Sequence, residues 1–240
     1  MSREKSRISL SHRVVLPELM DSPELAVAPH RSALRGLRRV NLLSQSAAAI
    51  LMAIRSLPLR VGSSRPLRVL DVGCGSGDVT TAVCRRLNAR GIAAELIGWD
   101  RSSTAVAEAV QRAGRTQSVR FEVRDIFGEI SGSFDVVYCS LFLHHFRDDQ
   151  ACQLLQRMQM LATQVVIVDD LVRSRRGLLL AAAGCRLLSR SPIVHADGPQ
   201  SVRAAFTLAE IRSVAKKAGM ETCRLRTHWP QRFSLTWCRE

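Results

Sequence analysis

Aromatic side chains are scarce: the 240-residue chain has one tyrosine, three tryptophans and seven phenylalanines. With 46% of residues apolar, its core must be built from leucine, valine and alanine rather than rings. The seven cysteines (74, 84, 139, 152, 185, 223 and 238) show no C-x-x-C pair and no Cys/His spacing of a structural zinc site. Several fall inside expected strands and helices, where cysteine acts as a small hydrophobe. This usage points to a reducing, cytoplasmic setting without disulfides and without a metal. No apolar run approaches the length of a bilayer span, so membrane contact is at most peripheral. The basic start, Met1 to Arg13, is not followed by the apolar stretch of a secretory signal. Acids are also few, 21 against 35 lysines and arginines, giving a formal charge of +14. Such a field attracts nucleic acid, anionic lipid or acidic substrates. Because the arginines are scattered rather than massed, the charge reads as a solvated basic surface, with no specific nucleic acid partner expected.

The most informative stretch is Arg68-Val69-Leu70-Asp71-Val72-Gly73-Cys74-Gly75-Ser76-Gly77-Asp78-Val79. A short β-branched run reaches an acid, a glycine-rich turn follows, and a helix starts at Asp78. An α/β sheet builds a nucleotide site in this way at a strand's carboxyl end. The loop is neither of the common phosphate binders. Gly73 and Gly75 match the dinucleotide fingerprint, but its third glycine is replaced by Asp78, whose carboxylate repels a pyrophosphate at the helix start. The P-loop lysine and its hydroxyl neighbour are missing. The ligand is therefore held by something other than phosphates.

Regular strand-helix alternation surrounds this loop. Strands are expected at 68–72, 95–99, 118–123, 134–140 and 164–169, with helices at 79–90, 102–114 and 148–162, the last capped by Asp148 or Asp149. Repeated βα units imply a parallel, doubly wound sheet. A capping box at Thr207 and Glu210 opens a further helix ending at Gly219. Residues 221–229 and 231–238 form a terminal strand pair turning at Pro230, which completes a mostly parallel seven-stranded sheet. Ahead of the sheet lie a basic arm at 1–12, a short helical turn at 17–25 and an amphipathic helix, or two, from His30 to Leu57. The chain divides into an arm and helical cap (1–62) and a sheet domain (63–240) with a lid insertion at about 175–206. The apolar, arginine-flanked 175–190 segment is a lid helix with a greasy face. Residues 191–206 read as a loop carrying His195, Asp197 and Arg203, in which His195 and Asp197 form an oriented base or Asp197-Gly198-Pro199 is only a turn.

The run Val69-Leu70-Asp71-Val72-Gly73-Cys74-Gly75-Ser76-Gly77 resembles motif I of the class I S-adenosylmethionine-dependent methyltransferases. The resemblance extends over residues 67–170, through the acid ending the second strand, the acid after the third, and the fourth-strand segment. It implies a Rossmann-like methyltransferase fold with an N-terminal helical appendage that covers the cofactor and walls the acceptor pocket. It also implies S-adenosylmethionine as cofactor, held by Asp71, Gly73, Cys74, Gly75, Asp100, Arg101, Asp125, Ile126 and Ser140. Asp100, about 20 residues past the glycine loop, is placed to accept both ribose hydroxyls. Asp125 resembles the acid that accepts from the adenine amino group, and Asp71 the acid that orders the loop.

The end of the fourth strand separates substrate classes. Methyltransferases acting on adenine or glutamine amino groups carry an Asn/Asp-Pro-Pro-Tyr type sequence there. This chain has Ser140-Leu141-Phe142-Leu143-His144-His145-Phe146, which looks like the small-molecule branch that includes quinone-biosynthesis enzymes. Pro17-Glu18-Leu19-Met20-Asp21, Leu34-Arg35-Gly36-Leu37 and the 195–206 stretch resemble a narrower bacterial group associated with polyketide-type phenolic or quinone metabolites. The resemblance implies O-methylation of a hydrophobic phenolic or quinol hydroxyl, with His144, His145 and His195 as candidate bases. Two rivals from other classes are an RNA methyltransferase, suggested by the charge, and a non-catalytic scaffold that keeps the cofactor fold.

Overall fold

The structure, a computed structural model, describes residues 10–22, 24–55, 65–114 and 116–239. The expected helix end at Pro58, the break at Pro23 and most of the arm and linker lie outside the described residues. Two helices lead, α1 (Val27–Leu43) and α2 (Ser46–Arg55), followed by β1 (Leu67–Val72), α3 (Asp78–Asn88), β2 (Ala94–Asp100), α4 (Ser103–Ala113), β3 (Val119–Val123) and β4 (Phe134–Ser140). Then come α5 (Asp148–Leu161), β5 (Ala162–Leu171), α6 (Arg175–Leu188), α7 (Pro192–Ala204), α8 (Leu208–Lys217), β6 (Arg224–His228) and β7 (Arg232–Cys238).

The strands form one sheet in the order β3-β2-β1-β4-β5-β7-β6. Five are parallel, and β7 runs antiparallel between β5 and β6. Strand order reverses at β1 and β4, so the crevice at their carboxyl ends is where such a sheet binds its ligand. Side chains alternate across β1. Leu67 and Val69 enter a core with Ile50, Ile54 and Val83 under α2 and α3. Leu70 and Val72 enter the opposite core with Leu154, Met158 and Ile211 under α5 and α8. Two-sided burial explains why these strands read as continuous apolar runs.

The long cap helix is two helices, because Gln45 takes a left-handed turn (φ 56°) between them. The expected cap of α5 differs as well. Arg147 is the N-cap, with the Gln150 side chain accepting its backbone N–H, while Asp148 and Asp149 sit in the first turn, favourable to the helix dipole.

The largest departure is residues 191–206, expected as a loop. They form α7, which packs on α6, even though Gly198 and Pro199 argue against a helix and Pro199 removes one backbone donor from its interior. Close packing explains Gly198: a Cβ there would lie 2.2 Å from Cys185 Sγ on α6. Gly198→Ala is expected to cost roughly 1–3 kcal/mol as overpacking. Equilibrium urea unfolding should show that loss, and should show most of it recovered in the Gly198→Ala, Cys185→Ala double variant.

Candidate active site

The glycine loop is shaped by its backbone. Gly73, Gly75 and Gly77 all have positive φ (72°, 52° and 68°). A Cβ at Gly75 would meet nothing within 4 Å, so the loop leaves open space there for a ligand to lie against bare backbone. Beneath the loop, the buried Asp71 accepts from Thr80 Oγ1 at 2.6 Å and from the Tyr138 hydroxyl at 2.8 Å. Burial pushes its carboxyl up to about 7, against the pull of those two bonds. Asp71 thus ties β1 to α3 and β4 and orders the loop from below. The Cys74 thiol is buried, and burial pushes it well up. The Cys74 backbone is used within the loop, its N–H donating to the Trp99 carbonyl and its carbonyl accepting the Gly77 N–H, each at 3.0 Å.

Asp100 faces this space. One carboxylate oxygen accepts the Gly75 N–H and the other the Ser102 N–H, each at 2.8 Å. Burial pushes its pKa up, opposed by those two N–H groups. Each oxygen keeps a further lone pair, enough for a vicinal diol. Capping of α4 is left to Ser102, which accepts from Ala105 N. Asp125 binds the Phe127 N–H at 2.9 Å and is exposed. Ile126 is buried, with its carbonyl accepting from Arg157. Arg101 is exposed and lies 3.6 Å from Asp21. The Ser140 hydroxyl is occupied by protein, accepting from Arg232 at 3.0 Å. Two further groups border the loop: Asn41 of α1 donates to Asp78 at 3.1 Å, and His30 of α1 is buried, its pKa lowered by burial against the charges of Asp100 and Asp21. Sequence reasoning passed over both, because they lie on a helix read only for its apolar stripe.

A second cluster sits at the carboxyl end of β4, in a 3-10 turn spanning Leu143–His145. His144 is buried; its Nδ1 lies 2.7 Å from Asp170 Oδ1 and its Nε2 3.5 Å from Glu18 Oε1. Burial alone would lower its pKa, but the Asp170 and Glu18 carboxylates overcome that and hold it up to about 10. His145 is partly exposed, with Nδ1 3.1 Å from Asp21 Oδ2 and Nε2 3.8 Å from Glu18 Oε2. Glu18 is mostly buried. Burial pushes its carboxyl up, and the two histidines with Ser201 bring it below its ordinary value.

Asp170 belongs to β5, whereas Glu18 and Asp21 come from an N-terminal strap. Arg13 pairs with Asp148 at 2.6 Å, donates to the Ala204 and Phe146 carbonyls and stacks on the Phe206 ring. The Leu10 carbonyl accepts from Arg173, so the described part of the expected basic arm is already fixed. Asp197 accepts the N–H groups of Leu19 and Met20 at 2.9 and 3.0 Å. His195 and Asp197 therefore do not pair: the carboxylate holds the strap, while His195 Nε2 contacts the Ser189 carbonyl at 2.7 Å in the α6–α7 turn. The segments 17–21, 144–145 and 197–201 thus meet at one place.

A seven-stranded sheet of this order, with a glycine loop after β1 and an acid ending β2, is the Rossmann-like methyltransferase fold. Residues 69–164 match the family described as methyltransferase domain. A ubiquinone biosynthesis O-methyltransferase of Xanthomonas campestris pv. campestris is 32% identical over 126 residues, 51% of each chain. The chain thus spans about half the length of that relative. Human N-acetylserotonin methyltransferase, crystallised with S-adenosylmethionine, superposes with a TM-score of 0.64 at 18% identity, covering 90% of this chain and 59% of that one. Magnesium protoporphyrin IX methyltransferase from Synechocystis PCC 6803, also with bound S-adenosylmethionine, gives 0.54 at 17% identity, covering 92% and 88%. Among the described residues no helix is long and apolar enough to cross a membrane.

Proposed function

We propose that the protein transfers the methyl group of S-adenosylmethionine to the hydroxyl of a small phenolic or quinol molecule in a reducing, cytoplasmic setting. The observation that carries this is the open backbone at Gly75 directly beside the Asp100 carboxylate. In this reading Gly73, Cys74 and Gly75 lie against the cofactor through their backbone, Asp100 accepts the ribose hydroxyls, and Asp125 with the backbone of Ile126 borders the adenine. Asp71 acts through the loop, and Ser140 through its place at the end of β4. The bound cofactor supplies a sulfonium methyl that is already activated. The protein's task is to align the acceptor oxygen with that methyl and to favour loss of the oxygen's proton.

The acceptor is held, in this reading, where the strap, the His144–His145 turn and the α6–α7 pair meet, with α6 and α7 as the lid. The O-methyltransferase names among the relatives support oxygen as the acceptor atom. Two rings beside the cluster support an aromatic one: Phe142 lies 6.0 Å from the His145 ring and makes edge contact with Phe146 at 4.9 Å. His145→Ala is expected to lower turnover by about 10²-fold or more while leaving S-adenosylmethionine affinity within about twofold. Single-turnover kinetics with calorimetry of cofactor binding test this; equal losses in both quantities would remove the cluster from the acceptor site.

A further inference from the structure

Both histidines of the β4 turn are arranged alike. Each points Nδ1 at an aspartate, His144 at Asp170 (2.7 Å) and His145 at Asp21 (3.1 Å). Each points Nε2 at a different oxygen of one glutamate, Glu18, at 3.5 and 3.8 Å. The three ligand-type atoms lie within 4.8 Å of one another. A carboxylate on Nδ1 fixes a proton there, so that a bound ion takes Nε2 in exchange for any proton it carries, the outer arrangement found around metal-bound histidines. The Nε2-to-oxygen distances are too long for good hydrogen bonds. They are close to the roughly 3.3 Å that separates two ligands bound at about 2.0–2.1 Å with tetrahedral angles. Ser201 Oγ donates to Glu18 Oε1 and steadies the carboxylate.

We propose that Glu18, His144 and His145 form a binding site for one divalent transition-metal ion of the zinc, manganese or iron(II) class. Two imidazoles and one carboxylate make a three-ligand set with at least one open position. The aspartates Asp170 and Asp21 orient the ligands. Such an ion clamps the strap to the sheet, because one ligand comes from the strap and two from β4's turn. Its open position suits an oxygen donor, and a phenol bound there loses its proton more readily. That last role rests on the proposed function; the ion site itself does not. Sequence spacing gave no hint of it, since Glu18 lies 126 residues before His144 and the expectation from cysteine and histidine spacing was no metal.

Tag-free full-length protein, stripped with chelator, is titrated with zinc in a calorimeter and its metal content measured after dialysis. Cobalt(II) spectra report the ligand set. The expected result is one ion per chain, with tetrahedral-type visible bands for cobalt. Glu18→Gln should weaken zinc binding by about 100-fold or more. Asp170→Asn should weaken it about 10–100-fold with stoichiometry unchanged. Thermal unfolding without metal, compared across the variants, separates lost binding from lost folding. No zinc uptake by folded wild-type protein, or uptake unchanged in Glu18→Gln and His145→Ala together, overturns the site. S-adenosylmethionine binding is measured in parallel on metal-free protein. Cofactor binding without zinc binding contradicts the ion site alone, and zinc binding without cofactor binding contradicts the methyltransferase reading alone.

Discussion

Asp100→Ala should weaken S-adenosylmethionine binding by about 100-fold or more, with the fold intact. A hydrogen bond to a charged group contributes about 1.5–3 kcal/mol, and a ribose diol makes two of them to one carboxylate. The same substitution takes the acceptor away from Gly75 N and Ser102 N, so the loop loses its preset shape as well. Asp100→Asn keeps the size and one acceptor oxygen, and an intermediate loss is expected. Calorimetric titration of the three proteins measures the series directly. An affinity in Asp100→Ala within threefold of wild type would remove the ribose assignment.

Asp169→Ala is expected to be the most destabilising single change, by about 3–5 kcal/mol. Arg232 is 1% exposed and Asp169 is fully buried; they form an ion pair between β7 and β5. Arg232 also donates to Ser44, Ser46 and Ser140, and Asp169 lies 2.8 Å from His228 Nε2. Removing the aspartate leaves a guanidinium charge buried without its partner, the costly half of a broken buried pair. Replacing both residues by apolar ones of similar size should cost far less. Denaturant unfolding of Asp169→Ala and of an Asp169→Leu, Arg232→Met double variant measures both. A loss under about 1 kcal/mol in the single variant would show that the pair is open to water. The network joins the α1–α2 turn to the ends of β4 and β5, so it also sets where the cap sits over the glycine loop.

The sheet was legible because local signals agreed. Each central strand is a short β-branched run buried on both faces, and Asp71, Asp100 and Asp125 stand at or just beyond strand ends, where the βα order puts a site. The cap was legible as one amphipathic helix or two, and the choice between them stayed open because a left-handed Gln45 leaves no local mark. Residues 191–206 misled because glycine and proline usually break helices. Here Gly198 is required by contact with Cys185, a pairing visible only after α6 and α7 are packed. The His195–Asp197 pair failed for a related reason: residues two apart on a helix face different ways. Glu18, Asp170, Asp169 and Arg232 were out of reach for another reason. A buried charge is readable only beside its partner, and these partners are distant in sequence: Asp169 and Arg232 lie 63 residues apart, Glu18 and His144 126, and Asp170 and His144 26.

The measurement that bears most directly on the central claim uses S-adenosylmethionine labelled in its methyl group. Wild-type protein and Asp100→Ala are incubated with it and, separately, with a panel of phenols and quinols and with total RNA, and the label is followed into solvent-extractable and RNA fractions. The expected result is label in an aromatic ether, soluble in organic solvent, formed by wild type and not by Asp100→Ala, with none in RNA. Label in RNA, or no binding of S-adenosylmethionine to the folded wild-type protein, would contradict it.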